Sequence, residues 1–116
     1  MKPGGGGCIH IPPAVVRRGV PTTLELELSA VYSSGPMDRR IGVVRCYYRL
    51  SGEAAYTATT MKVISFDDRT LVVRGTIPAL SWSSSGLLEY YFDFRFDGHP
   101  NTRGSEAAPE ARVPIE

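Results

Sequence analysis

Apolar and polar residues alternate with a period of two over three long stretches, the pattern of strands that bury one face. In Thr22 to Val31, Leu24, Leu26, Leu28 and Ala30 fall on one side and Glu25, Glu27 and Ser29 on the other. Ile41 to Leu50 sets Val44, Cys46, Tyr48 and Leu50 against Arg45, Tyr47 and Arg49. The clearest stretch is Leu87 to Asp97, where Leu88, Tyr90, Phe92, Phe94 and Phe96 oppose Glu89, Tyr91, Asp93, Arg95 and Asp97. Leu71, Val73 and Ile77 mark a further strand that Pro78 ends. Ala55 to Phe66 is rich in β-formers but alternates poorly, which predicts an edge or bulged strand. Cys8 to Pro13 reads as a short first strand, and its two prolines confine it to a sheet edge.

Turn residues separate these runs. Ser33 to Asp38 predicts a loop kept solvated by Arg39 and Arg40, and Ser51-Gly52-Glu53 and Asp67-Asp68-Arg69 predict turns. Ala79 to Gly86 has loop chemistry, Gly98 to Asn101 predicts a turn, and a short last strand falls near Arg103 to Ala107 or Arg112 to Ile115. No segment sustains a 3.6-residue period and no internal repeat is visible. Six or seven short strands joined by turns predict an all-β, antiparallel sandwich.

Length and composition narrow the class. A chain of 116 residues has room for one domain. The expected division is a flexible glycine-rich segment over 1–7, the sandwich over 8–108, and a tail or short last strand over 109–116. Apolar residues make up 42% and charged residues 22%, an ordinary globular balance that argues against disorder. Thirteen basic and twelve acidic residues nearly cancel, leaving no electrostatic footprint for nucleic acid. No run approaches the ~20 apolar residues of a membrane span, so no membrane insertion is expected. The N-terminus lacks an apolar signal region, so export would require a leader preceding this chain. Gly7-Cys8 matches the end of a lipobox, but without a hydrophobic segment before it a glycine-rich linker is the plainer reading. Cys8 and Cys46 permit one disulfide, yet Cys46 lies inside an apolar strand pattern, which favours two separate thiols.

Several residues and motifs carry a family resemblance. Val44-Arg45-Cys46-Tyr47-Tyr48-Arg49, then Gly52, Tyr56 and Met61, Gly75-Thr76-Ile77-Pro78-Ala79, and Gly86 to Phe94 with Asp97-Gly98 follow one another between Ile41 and Pro100. This series resembles the immunoglobulin-like or fibronectin-type-III-like modules of bacterial exported and multidomain proteins. The matching positions are core tyrosines and turns, so the resemblance implies a sandwich of about seven strands and a modular, non-catalytic role. It also implies that the strands carrying Tyr47 and Tyr91 are neighbours in one sheet.

On that arrangement Arg45 and Arg49 would face Glu89, Asp93 and Asp97 in cross-strand ion pairs around a tyrosine pair. One reading is a solvated charge ladder; the other is a flat docking surface, since tyrosine and arginine are enriched at interface hot spots. Trp82, in a serine-rich loop, either caps the core or projects as an anchor. The expected partner-binding residues are Arg45, Tyr47, Arg49, Trp82, Glu89, Tyr91, Asp93 and Arg95.

Catalytic, cofactor and metal sites are not expected. Asp93 and Asp97-Gly98 lack the alternate-position oxygens of a calcium loop. His10 and His99 stand beside an edge strand and in a turn, away from any nucleophile or zinc spacing. Gly4 to Gly7 lacks the Lys and Ser/Thr of a phosphate loop. The expectation is a non-enzymatic protein-interaction or structural module whose partner is a protein or a larger assembly, with self-association left open. A decoration or accessory subunit of a virus particle or filament is the alternative, and a carbohydrate-binding module a third. The compartment stays open: exported or cell-surface if a leader precedes this chain, otherwise cytoplasmic or part of a virus particle.

Overall fold

The alternating stretches become antiparallel strands in a computed structural model, which describes residues 7–79 and 86–116. These are β1 (Gly7–Ile9), β2 (Thr22–Ser29), β3 (Val44–Leu50), β4 (Thr57–Phe66), β5 (Thr70–Ile77), β6 (Leu87–Phe96), β7 (His99–Arg103) and β8 (Ala111–Pro114), with one helical turn, α1 (Met37–Arg40). The order across the sheet is β1-β2-β5-β4-β3-β6-β7, and β8 pairs with β6 beside β7. The protein is therefore all-β and antiparallel, a single sheet curled into a half-barrel.

The curl originates in β4, whose first part pairs with β3 (Val44 opposite Met61) and whose second part pairs with β5 (Lys62 opposite Arg74). A register shift between Val63 and Ser65 adds the local twist that a bulge supplies. The poor alternation of Ala55 to Phe66 is the sequence trace of this double duty. Gly75 permits the close approach here, because a Cβ on it would stand 2.9 Å from Met61 Cγ. The curl turns the leucines of β2 and Leu71, Val73 and Ile77 of β5 into one core with Cys46, Tyr48, Leu88, Tyr90 and Phe92 of β3 and β6. Burial raises the Cys46 thiol to about 12, and Cys46 and Cys8 both remain thiols.

Residues 7–18 lace the open side of the curl. β1 pairs with β2, then the chain passes Pro12-Pro13 and Val16 forms a parallel bridge with Ile115. Val16 N–H donates to the Pro114 carbonyl at 2.9 Å, and Glu116 N–H donates to the Val16 carbonyl at 2.8 Å. His10, buried at the crossing, ties both sides together. Its Nδ1 lies 2.7 Å from the Glu25 carbonyl of β2, and its Nε2 lies 2.6 Å from the Tyr90 hydroxyl of β6. A carbonyl only accepts, so Nδ1 carries the proton and Nε2 receives the tyrosine O–H. Edge contacts with the Tyr90 and Phe92 rings fix the imidazole plane. Burial holds the His10 pKa below 6.5, a direction that Arg103 reinforces and that the Glu25 hydrogen bond and Glu110 oppose.

Three local expectations are corrected. The predicted loop before β3 contains α1, whose Met37 is fully buried and whose Met37 N–H donates to the Asp67 carbonyl at 3.0 Å. Arg40 does not solvate the connection: it is buried, with its guanidinium 5.1 Å from the Phe96 ring centroid. Its Nε and Nη2 donate to the two oxygens of Asp97 at 3.1 and 2.9 Å, a bidentate pair that accounts for the burial of a charge. Finally, the chain reverses at Asp97-Gly98 rather than Gly98 to Asn101, so His99 to Arg103 is a strand; of the two placements expected for the last strand the later one is found, at Ala111–Pro114. Asp97 and Gly98 have φ of 50° and 81°, the positive pair that a tight two-residue hairpin turn demands.

Candidate functional site

The outer face of β3 and β6 collects most of the residues singled out in the sequence. Their register sets Arg45 opposite Asp93, Tyr47 opposite Tyr91 and Arg49 opposite Glu89. Because paired residues share a face, these six side chains form two adjacent rows. The Tyr47 and Tyr91 rings stack at 4.8 Å with 12° between their planes, and each is half-buried. Tyr56, in the connection before β4, meets Tyr91 edge-on at 5.0 Å. The Arg49 guanidinium lies 4.3 Å from the Tyr56 ring centroid, and the Tyr56 hydroxyl donates to the Glu106 carbonyl at 3.1 Å.

The two ends of this face differ in charge. Towards β8, Glu89 is only 4% exposed although the alternation places it outward. Arg49 Nε donates to its Oε1 at 2.9 Å and Arg112 Nε to its Oε2 at 2.7 Å. These bonds, with that from Arg112 strongest, hold the Glu89 pKa below its ordinary 4.5 against the opposing effect of burial. Towards β7, the Tyr47 hydroxyl donates to Asp93 Oδ2 at 3.0 Å, while Arg45 and Arg95 are exposed. Arg95 Nη1 donates to the Gly98 carbonyl at 2.9 Å. These two arginines border an open groove of about 450 Å³ that reaches across β6 to Pro100, Asn101 and Thr102.

The expected cross-strand ion pairs are thus partly realised. Arg49 pairs with Glu89, Asp93 holds the Tyr47 phenol, and Asp97 leaves the face for Arg40. The structure brings Arg45, Tyr47, Arg49, Glu89, Tyr91, Asp93 and Arg95 together; Trp82 lies outside the described residues. Tyr56, Arg112 and the β7 side of the groove were not anticipated, because they arrive from segments with no alternation of their own. Burial raises the pKa of Tyr47, Tyr56 and Tyr91, so all three phenols are neutral at physiological pH. The surface offers aromatic faces, phenol hydroxyls and guanidinium donors held in place by one another. Among the described residues no group of His, Cys, Asp or Glu is arranged to hold a metal ion.

No family model and no curated protein sequence matches the chain. Solved structures do resemble it. The Pseudomonas fluorescens alkylpurine DNA glycosylase AlkC, bound to DNA containing an abasic site analog, superposes with a TM-score of 0.60 at 15% identity, over 97% of this chain and 30% of that one. A beta-glucosidase from Listeria innocua in complex with glucose superposes with a TM-score of 0.56 at 8% identity, over 95% of this chain and 16% of that one. At these identities the likeness is one of fold. The chain spans less than a third of either protein.

Proposed function

We propose that the chain is a non-enzymatic interaction module with an immunoglobulin-like sandwich fold, and that the outer face of β3 and β6 is its contact surface for a protein partner. The stacked, half-exposed Tyr47–Tyr91 pair carries this reading. Tyrosines bury large area at small loss of side-chain entropy when their rotamers are already fixed, and here Asp93, Tyr56 and the facing ring fix them. The sandwich reading is supported by the division of the sheet at β4 into a β2–β5 half and a β3–β6 half that share one core.

The test compares the wild-type chain with a Tyr47→Ser/Tyr91→Ser double variant, used as bait in extracts of the producing organism below the melting temperature of both. A protein retained by the wild type and lost with the variant is the expected result. Equal retention by both, including retention of nothing, would remove the tyrosine face from the contact surface.

A further inference from the structure

The groove at the β7 end of this face is lined by two arginines, Arg45 and Arg95, and one acid, Asp93. Arg40, Arg49, Arg74, Arg103 and Arg112 each have a carboxylate within ion-pair distance. Arg45 and Arg95, like Arg17, Arg39, Arg69 and Lys62, have none among the described residues, and these two are exposed and line one groove. The single acid between them, Asp93, already receives the Tyr47 hydroxyl. The groove therefore presents two guanidiniums against one occupied carboxylate. Beside them Val43, 57% exposed, and Pro100 supply apolar area, and Thr102, opposite Asp93 on the same face, supplies a hydroxyl.

We propose that this groove seats an acidic segment of a partner protein, with carboxylates on Arg45 and Arg95 and apolar side chains on Val43 and Pro100. The inference rests on reading the β3–β6 face as a contact surface, and it names the chemistry of what that surface takes. Charge complementarity selects the occupant: a guanidinium fork matches a carboxylate bidentately, and an arginine without an internal acid gives up no ion pair on binding. The groove crosses only β3, β6 and β7, a span of about 10 Å, which suits a short peptide segment. The basic lining of the groove is limited to Arg45 and Arg95, a shorter track than a polyanion draws on. The segment lies across the face rather than extending the sheet, because Pro100 removes a backbone donor from the edge strand β7.

The experiment is a backbone-amide NMR titration of the whole chain with a synthetic peptide of alternating valine and glutamate. Parallel titrations use its valine–lysine counterpart and a short DNA duplex. The expected result is a set of shifts at Val43, Arg45, Arg95 and Thr102 with a Kd of ~0.1–1 mM, weakened about tenfold or more in an Arg45→Glu/Arg95→Glu variant. The lysine peptide should leave those amides in place. Shifts elsewhere, binding unchanged by charge reversal, no binding at about 5 mM peptide, or tighter binding of the duplex at the same amides would each overturn the proposal. The bait comparison separates the two levels. A partner lost with Tyr47→Ser/Tyr91→Ser but kept with Arg45→Glu/Arg95→Glu would leave the contact face standing and remove the acidic segment, whereas retention by the tyrosine variant would remove the face itself.

Discussion

The outer faces of the two halves of the sheet arise from the same alternation and end in different states. On the β2–β5 half, Glu25 and Arg74 stand opposite each other and pair at 2.6 Å, with side chains 48% and 50% exposed. On the β3–β6 half, Glu89 occupies an equally outward position, yet its side chain is 5% exposed between Arg49 and Arg112. What differs is the size and reach of the neighbours. Tyr47, Tyr56, Tyr91 and two arginines build a second layer over β6, while Thr23, Glu25 and Glu27 leave β2 in solvent. A polar position in a two-residue alternation specifies a direction, and its exposure depends on what the adjacent strands carry.

The substitution with the largest expected effect cuts the link between the halves. His10→Ala removes a buried ring and leaves the Tyr90 hydroxyl and the Glu25 carbonyl without it, so a loss of about 2–4 kcal/mol is expected by urea denaturation. The same residue gives the wild type a pH dependence of fixed sign. The neutral imidazole is favoured by folding, so its contribution is fully present above 6.5 and is lost as pH falls from there towards the lowered folded value. Thermal melts of the wild type between pH 7.5 and 5.5 should therefore fall with pH, and those of His10→Ala should be flatter.

Next in size is the contrast between the two glutamates. Glu89→Ala leaves Arg49 and Arg112 facing each other without their shared acid and should lower Tm by about 5 °C, whereas Glu25→Ala should change stability by less than about 0.5 kcal/mol. Equal shifts for both would erase the distinction between the faces. The depressed Glu89 carboxyl acts at lower pH than His10, adding stability that is present above 4.5 and lost as pH falls through its folded value. The smallest effect expected in native buffer is on Cys46, whose buried thiol should resist alkylation at neutral pH until the chain unfolds. Its labelling rate should track the unfolded fraction, measured by mass spectrometry of the Cys46 peptide.

Much of this arrangement was legible in the sequence. The three clean alternations placed β2, β3 and β6, and assigned Leu24, Leu26, Leu28, Cys46, Tyr48, Tyr90 and Phe92 to the core, where they lie. The pairing of Tyr47 with Tyr91 also emerged as expected. The misses share a cause, which is that long-range partners decide them. Arg40 looks solvated in sequence because its bidentate partner, Asp97, is reached only after β6 has folded back. His10 beside two prolines gives no local sign that Tyr90 and Glu25 will meet it. The Asp97-Gly98 dipeptide did carry a turn signal, but the strict alternation of β6 drew Asp97 into the strand and hid β7 behind the turn. The half-barrel curl was foreshadowed only by the broken alternation of β4.

The central claim is that the outer face of β3 and β6 is ordered in advance of any partner, through the coupled Tyr47 and Tyr91 rings. A double-mutant cycle measures this directly: denaturant unfolding of the wild type, Tyr47→Ser, Tyr91→Ser and the double variant yields the coupling free energy between the two rings. A favourable coupling of about 0.5–1.5 kcal/mol is the expected result for a stacked pair held in place. A coupling of zero would mean that the rings move independently in solution, and would contradict a preordered contact face.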